Sequence, residues 1–239
     1  MKPYYEHNGI TIYHGDCREI LPTLPDEIID LTLTSPPYNL GNDHHTGSKR
    51  HNSYDDNMPE PEYQEWQRDI LDVIFSKTSP QGSLLYNHKN RIKSGLAITP
   101  YSWLLKTKWL LKQEIVWFNR SQNFDKVRFY PMTERVYWMA KSPKTILSNT
   151  INHHDLFEWA AEGTSGSHTR AFPTQMAIDL VSCFPDAKTI LDPFAGSGTT
   201  LVAAKILGRK AIGCELDERW CELAARRLQQ EILFSEAVI

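Results

Sequence analysis

Lys188-Thr189-Ile190-Leu191 runs without a break into Asp192-Pro193-Phe194-Ala195-Gly196-Ser197-Gly198-Thr199-Thr200, and this stretch decides the fold. Residues 188–191 read as a buried strand, the glycines as a tight turn, and residues 201–207 as the helix that leaves it. A second strand is expected at 210–214, ending in Glu215, with a last helix from 217 to about 233. A βαβα unit with a glycine turn on one strand end and an acid on the next is suited to a nucleoside. The glycines let a ligand approach the backbone, and the carboxylate accepts from two adjacent ribose hydroxyls. A phosphate-cradling P-loop is excluded because Thr199 stands where its lysine would be. The dinucleotide fingerprint fails as well, since Leu201 occupies its third small position. An ordinary tight βα turn is the plainer alternative, and the placement of Glu215 weighs against it.

Near the other end of the chain, the apolar, β-branched run Ile28-Ile29-Asp30-Leu31-Thr32-Leu33 reads as a second buried parallel strand. It leads into Thr34-Ser35-Pro36-Pro37-Tyr38, a tip that projects at the carboxyl edge of the sheet, where open α/β folds place their ligands. Two consecutive prolines fix φ, remove backbone donors and leave carbonyl oxygens able to accept. Ser35 Oγ and a tip carbonyl can take the two N–H bonds of an exocyclic amine while the Tyr38 ring stacks on the base. A proline-stiffened loop is the structural alternative. A short strand at 10–13 ends in His14-Gly15-Asp16, so Asp16 points to the same edge as Ser35. Without a ligand to hold, Asp16 would be a helix N-cap.

With 239 residues and 41% hydrophobic content, the chain suits one α/β domain over 1–239. Cys17, Cys183, Cys214 and Cys221 show no metal-ligand spacing, and the histidine pairs at 44–45 and 153–154 lack partners, so no metal is expected. With no signal peptide or long apolar span, a reduced, intracellular protein away from membranes is expected. Helices are expected at 62–77, 97–111 and 173–183, and strands at 82–86, 114–118 and 133–140, the last two antiparallel. The polar segment 39–58 reads as a mobile or functional loop. Residues 142–168 read as an irregular excursion, with one helical turn near 155–161.

Charge is distributed unevenly. Residues 1–80 carry −8 (6 basic, 14 acidic), 86–144 carry +9 (12 basic, 3 acidic) and 145–239 carry −4 (8 basic, 12 acidic). The middle interleaves Arg120, Lys126 and Arg128 with Trp103, Trp109, Trp117, Phe124 and Phe129, a mixture suited to phosphate neutralisation and base stacking. Those aromatics also serve as candidate core.

The 192–200 and 35–38 segments resemble, respectively, the S-adenosylmethionine motif and the catalytic motif of DNA methyltransferases that modify exocyclic amines, N4 of cytosine or N6 of adenine. The catalytic motif comes first, as in the permuted β class, and His14 to Asp16, the strand at 82–86 and residues 168–173 follow the family's order. The resemblance spans nearly the whole chain and implies a Rossmann-like, mostly parallel seven-stranded sheet with one antiparallel strand. It places Asp16 on the adenine amine, Glu215 on the ribose, Asp192, Phe194, Gly196 and Gly198 in the cofactor loop, and Phe172 on the opposite wall. It implies Ser35, Pro36, Pro37 and Tyr38 as the catalytic tip and double-stranded DNA as the substrate, in a bacterial or phage-encoded cytoplasmic enzyme. A homodimer and a cognate restriction endonuclease are the further partners it raises. The segment at 142–168, where such enzymes often carry a target-recognition domain, is short, which shifts sequence reading to 39–58 and 119–131.

Ser35 favours cytosine-N4 over adenine-N6, since cytosine-N4 members commonly carry Ser before Pro-Pro-Tyr and adenine-N6 members Asp. A DNA-binding module that holds the cofactor without turnover, and methylation of RNA or protein glutamine by a similar tip, are the rivals from other classes.

Overall fold

Cover on both faces explains why the central strands read as continuous apolar runs. The computed structural model describes residues 1–40, 56–120, 125–147, 154–159 and 172–230. In chain order the strands are β1 (Tyr5–His7), β2 (Ile10–His14), β3 (Ile29–Thr34), β4 (Thr78–His88), β5 (Arg91–Lys93), β6 (Leu96–Ile98), β7 (Leu110–Phe118), β8 (Thr133–Ala140), β9 (Leu156–Glu158), β10 (Thr189–Asp192) and β11 (Lys210–Glu215). The helices are α1 (Cys17–Ile20), α2 (Glu60–Lys77), α3 (Tyr101–Leu104), α4 (Thr174–Ser182), α5 (Thr199–Ile206) and α6 (Glu218–Gln229).

Nine strands form one sheet in the order β1-β2-β11-β10-β3-β4-β8-β7-β9. The seven from β2 to β7 in that order are the expected sheet, with β8 as its antiparallel member; β1 and β9 extend the two edges. One face packs on α4, α5 and α6 through residues such as Leu33, Leu85, Met176, Leu201 and Ala224. The other packs on α1, α2 and α3 through Ile20, Tyr63, Ile70, Leu84 and Trp103. Along β4 the side chains alternate between the two cores, Leu84 and Tyr86 to one and Leu85 to the other, as a period of two requires.

Two local expectations are corrected. The apolar spacing at 97–111 fits a helix, yet only Tyr101–Leu104 is helical, with β6 before it and β7 starting at Leu110. Thr107 Oγ1 donates to the Leu104 carbonyl (2.7 Å), closing the turn, and Trp109 Nε1 donates to the Leu71 carbonyl (2.9 Å). Long pairing of β7 with β8 then overrides local helical preference. The helical turn read near 155–161 is instead β9, parallel to β7; residues 160–161 lie outside the described residues, as does most of 39–58. At the base of that segment, Asn39 and the Met58 backbone exchange two hydrogen bonds (2.9 and 2.7 Å). No described helix is long and apolar enough to cross a membrane.

Candidate active site

Parallel pairing brings the ends of β2, β11, β10, β3 and β4 to one sheet edge, so segments far apart in sequence share a rim. The turn after β10 is the first half of the site. Gly196 and Gly198 have φ of +51° and +80°, in the left-handed region where a side chain is strained. A Cβ on Gly198 would also lie 2.8 Å from Ala224 Cβ on α6, so this glycine lets α5 and α6 close on each other. Glu215 sets the turn from the next strand: its carboxylate accepts from Gly196 N (Oε2, 2.8 Å) and Asp217 N (Oε1, 2.8 Å). Burial raises the Glu215 pKa from its ordinary value, against those two hydrogen bonds.

Asp16 lies beside it, because β2 pairs with β11 and Gly15 N donates to the Glu215 carbonyl (2.9 Å). Both readings of Asp16 meet in one side chain. It caps α1 through Arg18 N (2.8 Å), and the Arg18 guanidinium grips both its oxygens, which holds its pKa below the ordinary carboxylate value. Phe194 packs on Trp66 of α2 (ring centroids 5.6 Å apart). Phe172 is buried in the core on the α4 side of the sheet, the opposite side from Phe194.

Asp192 faces inward. It is 2% exposed and accepts from Thr34 Oγ1 (2.8 Å), Thr200 Oγ1 (2.7 Å) and Phe194 N (3.1 Å). Burial pushes its pKa up to about 6 despite these three donors. Three donors already hold this carboxylate, which fixes it between the glycine turn and the strand that leads to the tip, and Oδ2 keeps one acceptor site. Thr34 immediately precedes Ser35, so this one carboxylate ties the glycine turn to the proline tip.

The tip is fixed from beneath. Tyr63 Oη donates to the Pro37 carbonyl (2.6 Å) and lies 2.8 Å from His88 Nε2, while Gln67 Nε2 donates to Tyr63 Oη (2.8 Å). Tyr86 Oη donates to Gln67 Oε1 (2.9 Å) and receives Trp103 Nε1 (3.1 Å), which completes a buried relay from α3 to the tip. Burial drives His88 down to about 3, so it is neutral here. The Pro37 carbonyl is thus occupied, whereas the Pro36 carbonyl accepts from none of the described residues. Ser35 Oγ lies 2.9 Å from Tyr38 Oη, and Tyr38 Oη also reaches Asn87 Oδ1 (2.9 Å) and Glu134 Oε2 (3.2 Å).

The basic middle of the chain divides. Trp103, Trp109 and Trp117 are core, and Arg91 is buried in a pair with Glu60 (2.8 Å), so none of these is presented to a ligand. The β7–β8 connection leaves the same edge as Ser35, and on it Phe129 is 98% exposed. Arg128 pairs with Asp125 (2.8 Å), Arg120 pairs with Glu158, and Lys126 is exposed. Exposed pairs of this kind contribute little and can exchange for phosphates. Residues 121–124 and 168–171 lie outside the described residues.

A doubly wound sheet with a glycine turn, two acids and a proline tip on adjacent strand ends defines a nucleoside-binding α/β protein of the Rossmann-like methyltransferase class. The chain belongs to the N6/N4 DNA methylase family, whose model, described as DNA methylase, matches residues 29–226. Type II methyltransferase M.ScaI of Streptomyces caespitosus is 28% identical, covering 96% of this chain and 84% of that protein. M2.DpnII of Streptococcus pneumoniae, also a Type II methyltransferase, is 27% identical, covering 96% and 93%. Among solved structures, the cytosine-N4-specific PvuII DNA methyltransferase shares the fold with a TM-score of 0.78 at 23% identity, covering 98% of this chain and 91% of that one. M1.HpyAVI, solved as a complex with SAM, superimposes with a TM-score of 0.64 at 22% identity, covering 92% and 100%.

Proposed function

We propose that this chain methylates the N4 amine of a cytosine flipped out of duplex DNA, with S-adenosylmethionine as donor. DNA methylases of this family use that donor, which supplies an electrophilic methyl group on a sulfonium sulfur. The observation that carries the reading is the Asp192 bridge, which locks the glycine turn and the Ser35 tip to the same buried carboxylate. Methyl transfer requires this, since donor and acceptor must be held in line.

The residues present fit the donor. Glu215 has lone pairs left on both oxygens for the ribose hydroxyls, Asp16 sits alongside for the adenine amine, and Gly196 presents no side chain to the ligand. At the tip, Ser35 Oγ and the Pro36 carbonyl accept the two amine N–H bonds, which localises the nitrogen lone pair. As that nitrogen becomes cationic the same acceptors hold it more strongly than in the ground state, the condition for acceleration. The Tyr38 ring stacks on the base, which must leave the duplex to reach the tip. Arg120, Lys126 and Arg128, with exposed Phe129 between the strands, form the proposed DNA face. A homodimer and a cognate restriction endonuclease are the further partners of this reading, in a bacterial cytoplasm.

Ser35 and the cytosine-N4-specific name of the PvuII neighbour support cytosine over adenine. Competition among duplex DNA, RNA and peptide as methyl acceptors tests the substrate class. Transfer to duplex DNA is expected, and preferential transfer to RNA or peptide overturns it.

A further inference from the structure

The hydrogens around Tyr38 can be assigned by elimination. Asn87 Nδ2 donates to the Arg135 carbonyl (3.0 Å), which fixes Asn87 Oδ1 toward Tyr38 as an acceptor. Glu134 Oε2, the other neighbour at 3.2 Å, belongs to a carboxylate and can only accept. Tyr38 has one proton, and both of these partners demand it. Its contact with Ser35 at 2.9 Å is therefore a hydrogen bond in which Ser35 donates. With its own proton turned away, Ser35 Oγ offers only lone pairs to the amine.

We infer that Glu134, reached through Tyr38, is the positioning residue that keeps Ser35 an acceptor, and that it receives the proton released by methyl transfer. The inference rests on the amine-methylation reading above. As the N–C bond forms and the C–S bond breaks, the amine proton moves to Ser35 Oγ. Ser35 passes its proton to Tyr38 Oη, and Tyr38 passes its proton to the Glu134 carboxylate, which releases it to solvent. The Ser35 and Tyr38 hydroxyls end as they began, so one proton crosses the tip without a strong base at the reacting atom. Burial and the Glu134 charge push the Tyr38 phenol well above its ordinary value, so it conducts as a neutral hydroxyl rather than as a phenolate.

Among the described residues, charged and titratable groups lie close to the tip that Glu134 contacts. They include Tyr38 on the tip, His88 and Lys89 at the end of β4, and Arg135 next to Glu134 on β8, whose guanidinium is paired with Glu114 of β7 (2.6 Å). Lys89 Nζ lies 5.5 Å from the Tyr38 ring centroid. His88, held near 3, does not titrate in the working range.

Single-turnover methylation of duplex DNA at saturating cofactor, followed across pH, tests the relay. Glu134→Gln keeps an oxygen for Tyr38 but cannot carry the proton away. Its rate is expected to fall by about 100-fold, the lower end of the range for a lost proton-transfer group. Any fall of the wild-type rate toward acid pH is expected to vanish with it. Tyr38→Phe, which keeps the stacking ring and cuts the same chain, is expected to lose the acid limb too. A Glu134→Gln rate within about twofold of wild type, or a slower variant that keeps the acid limb, overturns the inference. Wild-type turnover on the same DNA checks the underlying reading separately: an inactive wild type rejects that reading, and an active one with an indifferent Glu134 rejects the relay alone.

Discussion

Glu215→Gln separates the cofactor role of this carboxylate from its structural role. The carboxylate accepts two backbone N–H groups at 2.8 Å, and an amide can accept only one of them while turning an NH2 group toward the other. That loses about 1.5–3 kcal/mol for a charged-acceptor bond. In the opposite direction, the raised Glu215 pKa shows that the folded chain disfavours the charge, and the neutral amide relieves that desolvation. The two effects offset, so stability without ligand is expected to change by no more than about 1 kcal/mol. Cofactor binding has no such offset. A ribose hydroxyl that loses its charged acceptor costs about 1.5–3 kcal/mol, or about 10-fold to 150-fold in Kd. Calorimetric titration with S-adenosylmethionine, alongside denaturant unfolding of the free protein, reads both quantities. Wild-type affinity in Glu215→Gln refutes the ribose assignment, and an affinity loss accompanied by an equal loss of free-protein stability refutes the separation argued here.

Asp192 yields a pH signature of its own. Its folded pKa of about 6 lies above the ordinary carboxylate value of 3.8. The folded state therefore holds the proton more tightly, and this contribution is fully present below about pH 4 and lost as pH rises through about 6, by about 3 kcal/mol in all. Asp192→Asn removes it, so urea unfolding should show wild type losing ground to the variant between pH 4 and 7; a constant difference contradicts the burial argument. Tyr38→Ala should bind cofactor normally and lose methylation of a paired target, by about 1–3 kcal/mol of stacking, with partial rescue when the target lies opposite a mismatch. Ser35→Ala should stay slow on both substrates, so equal rescue of the two variants would contradict their separate roles. Replacing Arg120, Lys126 and Arg128 together should flatten the salt dependence of DNA affinity by a slope of up to about 3, and an unchanged slope moves the DNA face elsewhere.

What the sequence made legible was local. The runs at 28–33 and 188–191 are covered on both faces, so their apolar continuity marked them as central strands, and the residues after each had to lie at the sheet edge. The acid ending β11 was readable for the same reason. Direction was harder to read than position: at a strand end, the sequence of Asp192 is the same whether the carboxylate turns toward a ligand or, as it does, toward Thr34 and Thr200. Asn87 and Glu134 gave no signal at all. They lie 49 and 96 residues from Tyr38, each a single polar side chain on an ordinary strand, and only the β3-β4-β8 order brings them to the tip. Residues 97–111 were misread because helical apolar spacing there is real, and pairing with a strand more than twenty residues downstream decided otherwise.

The most direct measurement is mass identification of the methylated nucleoside. Duplex DNA from cells expressing the wild-type chain would be hydrolysed and compared with DNA from cells expressing Ser35→Ala. N4-methylcytosine that is present with the wild type and sharply reduced with the variant is the expected result. N6-methyladenine in its place contradicts the assignment of the base, and no modified nucleoside at all from the folded wild-type protein contradicts the assignment of this chain as an active DNA amino-methyltransferase.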